Sequence, residues 1–73
     1  MEALEILTFI ADEGKRQGIS KAKIAEKTYR DPSAFYATLC KVRQGSDITF
    51  SLLTDYLKVV GYELTIQPIK EEA

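Results

Sequence analysis

The most constraining feature of this sequence is a pair of short helical patterns with only one or two residues between them. Ser20 is a suitable N-cap for the first, which spans Lys21 to about Tyr29. Asp31 precedes the second, Pro32 to about Lys41, because a carboxylate can cap a helix whose first residue is proline. Two short helices this close in the chain must cross, which is the arrangement of a helix-turn-helix.

The packing within this pair follows from the residue types. Ala25 is small enough to lie where the two backbones approach each other, and Ile24 beside it can anchor the first helix in the core. Phe35, one turn into the second helix, is expected to lock the pair together. The outward face of the second helix then carries Ser33, Tyr36, Ala37 and Cys40.

Two longer helices and one strand are predicted in the rest of the chain. Apolar residues recur at helical spacing from Ala3 to Arg16, and Thr49 caps a fourth helix, Phe50–Val60, which Gly61 ends. Tyr62–Gln67 alternates apolar and polar residues, which predicts a strand before Pro68 and a frayed tail over 68–73. We therefore expect a mainly α, four- or five-helix domain over residues 1–67 with one C-terminal β-strand. Its predicted core includes Leu4, Leu7, Ile10, Ala22, Leu39, Phe50, Leu53, Tyr56 and Leu57.

A chain of 73 residues with one cysteine and no histidine has few means of stabilisation besides its core. Cys40 cannot form an intramolecular disulfide, and one thiolate without histidine is not a metal site, so we expect neither metal nor cofactor. An isolated strand also leaves its amides and carbonyls unpaired. We therefore predict a homodimer in which two such strands pair across the twofold axis, with Tyr62, Leu64 and Ile66 at the interface.

The charge distribution is uneven. The net charge is −1, but eight Lys and Arg against two Asp and Glu give residues 15–43 a charge of +6. Because salt screens charges over about 8–10 Å, this central segment can attract phosphate despite the acidic termini. The first fourteen residues carry four acidic and no basic residues, unlike a signal peptide, and no apolar run is long enough to span a membrane. We expect a cytoplasmic protein that does not enter a membrane.

The sequence offers little for catalysis. It has no histidine, no glycine-rich phosphate loop, and no base paired with Cys40 or with a serine. We do not expect an enzyme, and Cys40 is predicted to be a small, partly buried side chain.

The runs IAEKTYRDPSAFYATL and TFSLLTDYLKVVGYELTI resemble the lambda-repressor-like (XRE-type) helix-turn-helix family. Within that family the similarity is greatest to the branch of addiction-module antidotes and prophage regulators. The resemblance covers residues 18–67 and departs from the family pattern where Tyr29 replaces a glycine and Asp31-Pro32 replaces a Ser-Arg start. The matching residues are Ile24, Ala25, Thr28, Phe35, Tyr36, Leu39, Phe50, Leu53, Leu57 and Gly61.

This resemblance implies a sequence-specific transcriptional regulator, a repressor or an antitoxin-type autoregulator, that binds a palindromic operator as a homodimer in a bacterial or phage-infected cell. Its partners would be double-stranded DNA, a second copy and, for an antidote, a cognate toxin protein. Ser33, Tyr36 and Ala37 are the candidate base contacts. The candidate contacts to the DNA backbone are Ser20, Lys21, Arg30, Lys41, Arg43 and Gln44.

A second interpretation stays open at this point. The same helices could form a protein-interaction module, or an antitoxin that mainly binds a toxin, with weak or lost DNA binding. The isoelectric point near 5.3 and the carboxylate of Asp31 at the head of the second helix favour this interpretation. Each lysine or arginine could also be a solvated surface charge, and Tyr36 could be partly buried against Leu39 or Cys40.

Overall fold

The computed structural model describes residues 2–64, which form four helices. These are α1 (Ala3–Gln17), α2 (Lys21–Lys27), α3 (Ala34–Arg43) and α4 (Phe50–Val59). Within that range no residue belongs to a β-strand. The mainly helical class and the number of helices are thus as predicted, and the helices pack around one core.

The core is built from one face of each helix. The rings of Phe35 on α3 and Tyr56 on α4 meet edge to face, with centroids 4.9 Å apart. Ala25 is fully buried in α2, as the predicted crossing requires. The buried apolar residues are Ile6, Leu7, Ile10, Ile24, Ala25, Phe35, Leu39, Leu53, Tyr56, Leu57 and Val60.

All four helices end in the same hydrogen-bonding pattern, the Schellman motif. In α1, the Gly18 N–H donates to the Lys15 carbonyl and the Ile19 N–H donates to the Gly14 carbonyl. The motif requires one residue in the left-handed conformation, which an L side chain disfavours. Glycine supplies it in three of these helices, with φ of +80°, +105° and +88° at Gly18, Gly45 and Gly61.

Tyr29 occupies this position at the end of α2. Its φ is +62°, its N–H donates to the Glu26 carbonyl, and the Arg30 N–H donates to the Ala25 carbonyl. The turn between α2 and α3 therefore keeps the geometry that glycine would give it. A left-handed conformation costs about 1–2 kcal/mol for a residue with a Cβ.

Three predicted helix boundaries are wrong by two residues. The α2 helix ends at Lys27 rather than Tyr29, because Tyr29 belongs to the terminating motif. The α3 helix ends at Arg43 rather than Lys41, and it begins at Ala34 rather than Pro32. There the Asp31 Oδ1 accepts hydrogen bonds from the N–H and the hydroxyl of Ser33, at 2.9 and 2.7 Å, so the carboxylate caps a turn that precedes the helix.

Two predicted core residues are exposed. Ala22 lies about 200° around α2 from Ile24 and so faces solvent. Phe50 is 57% exposed, because it lies at the edge of the α4 face that Leu53 and Leu57 bury.

The predicted strand is not observed in the part of it that the structure describes. Tyr62 to Leu64 form no regular secondary structure, and the Tyr62 N–H donates to the Leu57 carbonyl at 3.1 Å to terminate α4. That amide is therefore not available to a sheet. The remainder of the predicted strand, residues 65–67 with Ile66, and the predicted tail, 68–73, lie outside the described residues.

Candidate nucleic-acid interface

The α2–α3 pair presents one side of α3 to the core and the other to solvent. Phe35 and Leu39 are buried, and Ile24 and Ala25 of α2 are fully buried beside them. Buried residues four apart fix the orientation of α3, since such residues share one face of a helix. The opposite face of α3 is therefore accessible to another molecule.

The three candidate base contacts lie on or beside this outward face. Ser33, Tyr36 and Ala37 are all exposed, and Tyr36 has 57% of its surface accessible. Tyr36 therefore keeps more than half of its surface available to a ligand. Cys40 is half-buried, and Gln44 is exposed one turn further along the same face. Apart from Tyr36, the first side chains on this face, those of Ser33, Ala37 and Cys40, are short, which suits close approach to a groove floor.

The charges on this face are basic. Lys41 and Arg43 are exposed at the end of α3, and neither forms an ion pair with any residue from 2 to 64. No acidic residue occurs between Pro32 and Ser46. The charges that α3 itself carries therefore favour an anion.

One carboxylate lies at the start of α3. The two hydrogen bonds that Asp31 accepts from Ser33, first from the hydroxyl and then from the backbone N–H, lower the pKa of that carboxyl. Asp31 is thus ionised at neutral pH beside the first candidate base contact. The Ser33 hydroxyl already donates its hydrogen to Asp31, so towards a base it would act as an acceptor.

Arg30 is directed towards α4 and not into open solvent. Its guanidinium donates to the Thr28 carbonyl at 3.2 Å, lies 3.4 Å from the Asp55 carboxylate, and is 5.6 Å from the centre of the Tyr56 ring. The Tyr56 hydroxyl is buried without a hydrogen-bond partner among residues 2–64. Burial raises the pKa of Tyr56, and the charge of the nearby Arg30 guanidinium opposes that shift.

The other candidate backbone contacts lie in separate places. Ser20 caps α2 by accepting a hydrogen bond from the Lys23 N–H at 3.1 Å, and Lys21 is exposed beside it. Both line a shallow depression together with Lys15 of α1. Arg43 lines a different depression, with Glu2 and Asp47 among its neighbours. The structure therefore groups Lys41, Arg43 and Gln44 at the end of α3 and leaves Ser20 and Lys21 at the start of α2.

The candidate dimer residues border an apolar groove of about 240 Å³ between α1 and the end of α4. Tyr62 and Phe9 meet edge to face, with ring centroids 5.0 Å apart, and are 43% and 40% exposed. Leu64 lies half-buried on the same groove. Ile66 lies outside the described residues.

The sequence prediction missed a surface at the opposite end of α2. Tyr29 is 99% exposed and borders a cleft of about 520 Å³ with Lys27, Thr28, Asp55, Lys58 and Val59. The replacement of glycine by Tyr29 is visible in the sequence. Its proximity to Lys58 is not, because that depends on how α4 packs against α2.

Among residues 2–64 there is no cluster of three or more potential metal ligands. No helix in the described part of the chain is long and apolar enough to cross a membrane. Comparisons with models of known protein families, with curated proteins and with solved structures found no match to this chain.

Proposed function

We propose that this protein binds double-stranded DNA through the outward face of α3 and acts as a transcriptional regulator. The observation that supports it is the composition of that face: Ser33, Tyr36 and Ala37 are exposed, and Lys41 and Arg43 beyond them form no ion pair with any residue from 2 to 64. A helix of this kind can place small and amphipathic side chains against base edges while the cations hold the flanking phosphates.

The proposal includes a homodimer and a palindromic operator. The apolar groove beside Phe9 and Tyr62 supports it, because a second copy placed there would cover aromatic surface that α1 and α4 leave exposed. A twofold dimer presents two recognition helices, and half-sites about 34 Å apart lie on the same side of the duplex.

The test is a fluorescence-anisotropy titration against a duplex from upstream of the protein's own gene and against a randomised duplex pool, each at two salt concentrations. We expect two protomers per site, tighter binding to the upstream duplex, and a steep loss of affinity with salt because phosphate contacts release counterions. Lys41→Ala is expected to weaken both titrations, whereas Lys58→Ala, a change of the same charge at an exposed position of α4 outside the candidate DNA contacts, serves as the matched control. Absence of binding at low salt would refute the proposal.

The alternative is a protein-interaction module, such as an antitoxin that mainly binds its toxin. One observation favours it: Arg30, a candidate phosphate contact, is held by Asp55 and by the Thr28 carbonyl. The salt dependence distinguishes the two functions. An interaction module would bind DNA only weakly and without sequence preference, through a few exposed lysines and arginines.

A further inference from the structure

The cleft between the end of α2 and the second half of α4 exposes an aromatic side chain at a backbone position suited to glycine. Tyr29 is 99% exposed, and its side chain therefore gains almost nothing from packing within the monomer. The other three helices use glycine at the same place in the same motif. The tyrosine is thus a cost to the isolated fold, which contact with another molecule would offset.

The charges in this cleft favour an acidic ligand. Lys27 and Lys58 both line it, and neither forms an ion pair within the described residues. Among residues 2–64, the one carboxylate that lines it is that of Asp55, which lies 3.4 Å from the Arg30 guanidinium and is largely balanced by it. Two cations beside an exposed phenol ring therefore remain for a ligand.

The cleft is separate from the proposed DNA-binding face. It is lined by the end of α2, by the turn and by α4, and no residue of α3 contributes to it. Occupation of the cleft and contact through Tyr36 or Lys41 therefore do not use the same side chains.

We propose that this cleft binds an acidic segment of a partner protein, with Tyr29 as the central contact and Lys27 and Lys58 pairing with carboxylates on either side. Tyrosine is enriched at the centres of protein interfaces because it buries a large area at a small cost in conformational entropy. A nucleic acid fits less well, since the cleft offers only the two cations of Lys27 and Lys58, fewer than the phosphate contacts on which duplex binding depends.

The probe is a short, acetylated and amidated peptide of glutamate and serine with a central leucine, and its control has glutamine in place of each glutamate. Each is titrated into the ¹⁵N-labelled full chain while backbone amide shifts are recorded. We expect saturable shifts at residues 27–29 and 55–59 with the acidic peptide and none with the control.

Three variants make the test specific. Tyr29→Gly removes the ring while keeping the turn, because glycine favours the left-handed conformation, and is expected to weaken peptide binding about tenfold. Lys58→Glu is expected to abolish binding, whereas Lys15→Glu, the same charge change outside the cleft, leaves it unchanged.

The proposal is overturned if the acidic peptide causes no saturable shifts, if the shifts map to α3, or if Tyr29→Gly binds as well as the native chain. It is also overturned if a short duplex DNA displaces the peptide and shifts the same amides, which would make the cleft a nucleic-acid surface. Because α3 does not line the cleft, failure here leaves the anisotropy result for DNA unaffected, and the reverse also holds.

Discussion

At the scale of single residues, Tyr29 lowers the stability of the fold, although it is the central contact of the proposed partner site. With φ at +62° and no burial, the side chain contributes strain without packing. Tyr29→Gly is expected to raise the free energy of unfolding by about 1 kcal/mol. Glycine removes the cost of the left-handed conformation, and its greater conformational entropy in the unfolded chain offsets part of that gain. Urea denaturation measures this. Gly18→Ala, at the equivalent position of α1, should lower it by a similar amount, and a destabilised Tyr29→Gly would show that the ring supports the fold.

The ionised carboxylate of Asp31 stabilises the fold but places a negative charge near the proposed DNA contact. Its folded pKa is lowered by the Ser33 hydrogen bonds, so its contribution to stability is present above the unfolded pKa of about 4 and is lost as pH falls through the folded value. Asp31→Asn keeps an oxygen that can accept both hydrogen bonds but removes the charge. We expect a severalfold gain in DNA affinity at low salt, because one negative charge near the phosphates is lost.

The control for Asp31→Asn is Glu63→Gln, the same charge change at an exposed position after α4 that is not among the candidate DNA contacts. Equal gains in the two variants would mean that net charge alone matters and that the head of α3 does not approach the duplex.

At the scale of helices, the contact between α1 and α2 depends on the absence of a side chain at Gly14. A Cβ there would lie 2.9 Å from the Ile19 carbonyl oxygen and 3.0 Å from Cδ1 of Ile24. Alanine normally favours a helix over glycine by about 1 kcal/mol, but this overlap reverses the sign. Gly14→Ala is expected to destabilise the fold by about 1–3 kcal/mol in thermal denaturation. Thr8→Ala, exposed on the same helix, should have little effect, and a stabilised Gly14→Ala would refute this account of the packing.

At the start of α2, Ser20 both caps the helix and is a proposed contact to a DNA phosphate. Ser20 accepts from the Lys23 N–H, so Ser20→Ala should lower the free energy of unfolding by about 1 kcal/mol. Ser20→Asp retains the cap but adds a negative charge. If the residue also approaches DNA, Ser20→Asp should fold as well as the native chain and bind the upstream duplex more weakly. Thr49→Asp at the α4 cap is the control, and equal DNA affinity in both variants would remove Ser20 from the interface.

Local signals in the sequence predict most of the helices. The caps at Ser20 and Thr49 and the helix end at Gly18 are found where the residue types indicate them, because capping depends on neighbours within one turn. Residue types alone could not predict where α3 begins. Asp31 has two local uses, as a helix cap or as a turn acceptor, and the hydrogen bonds to Ser33 select the second.

Contacts between helices were harder to predict than the helices themselves. Arg30 is on the surface in any sequence-based interpretation, yet Asp55, twenty-five residues later, draws it towards α4. The cleft around Tyr29 depends on the same packing. Burial of Ala25 and Phe35 was predictable because a crossing of two short helices permits few alternatives.

At the scale of the whole molecule, the basic end of α3 and the apolar groove are built from different residues. Lys41 and Arg43 lie at the end of α3, whereas the groove beside Phe9 and Tyr62 is bordered by Glu5 and Glu63. The proposed assembly and the proposed DNA contact therefore use different side chains.

The dimer gives the last prediction. Leu64 lines the groove and is half-buried in the monomer, so a charge there would face whatever covers the groove. We expect the native chain to sediment as a dimer and Leu64→Glu to sediment as a folded monomer, with helical circular dichroism retained. Glu63→Gln, at the exposed neighbouring position, should remain dimeric.

Removal of all residues after Gly61 should likewise give a monomer or an unfolded chain, and a stable dimer of that fragment would exclude the C-terminal segment from the interface. Because two recognition helices must be linked for a palindromic site, the Leu64→Glu monomer should also lose most of its preference for the upstream duplex while its salt-dependent binding to the randomised pool persists.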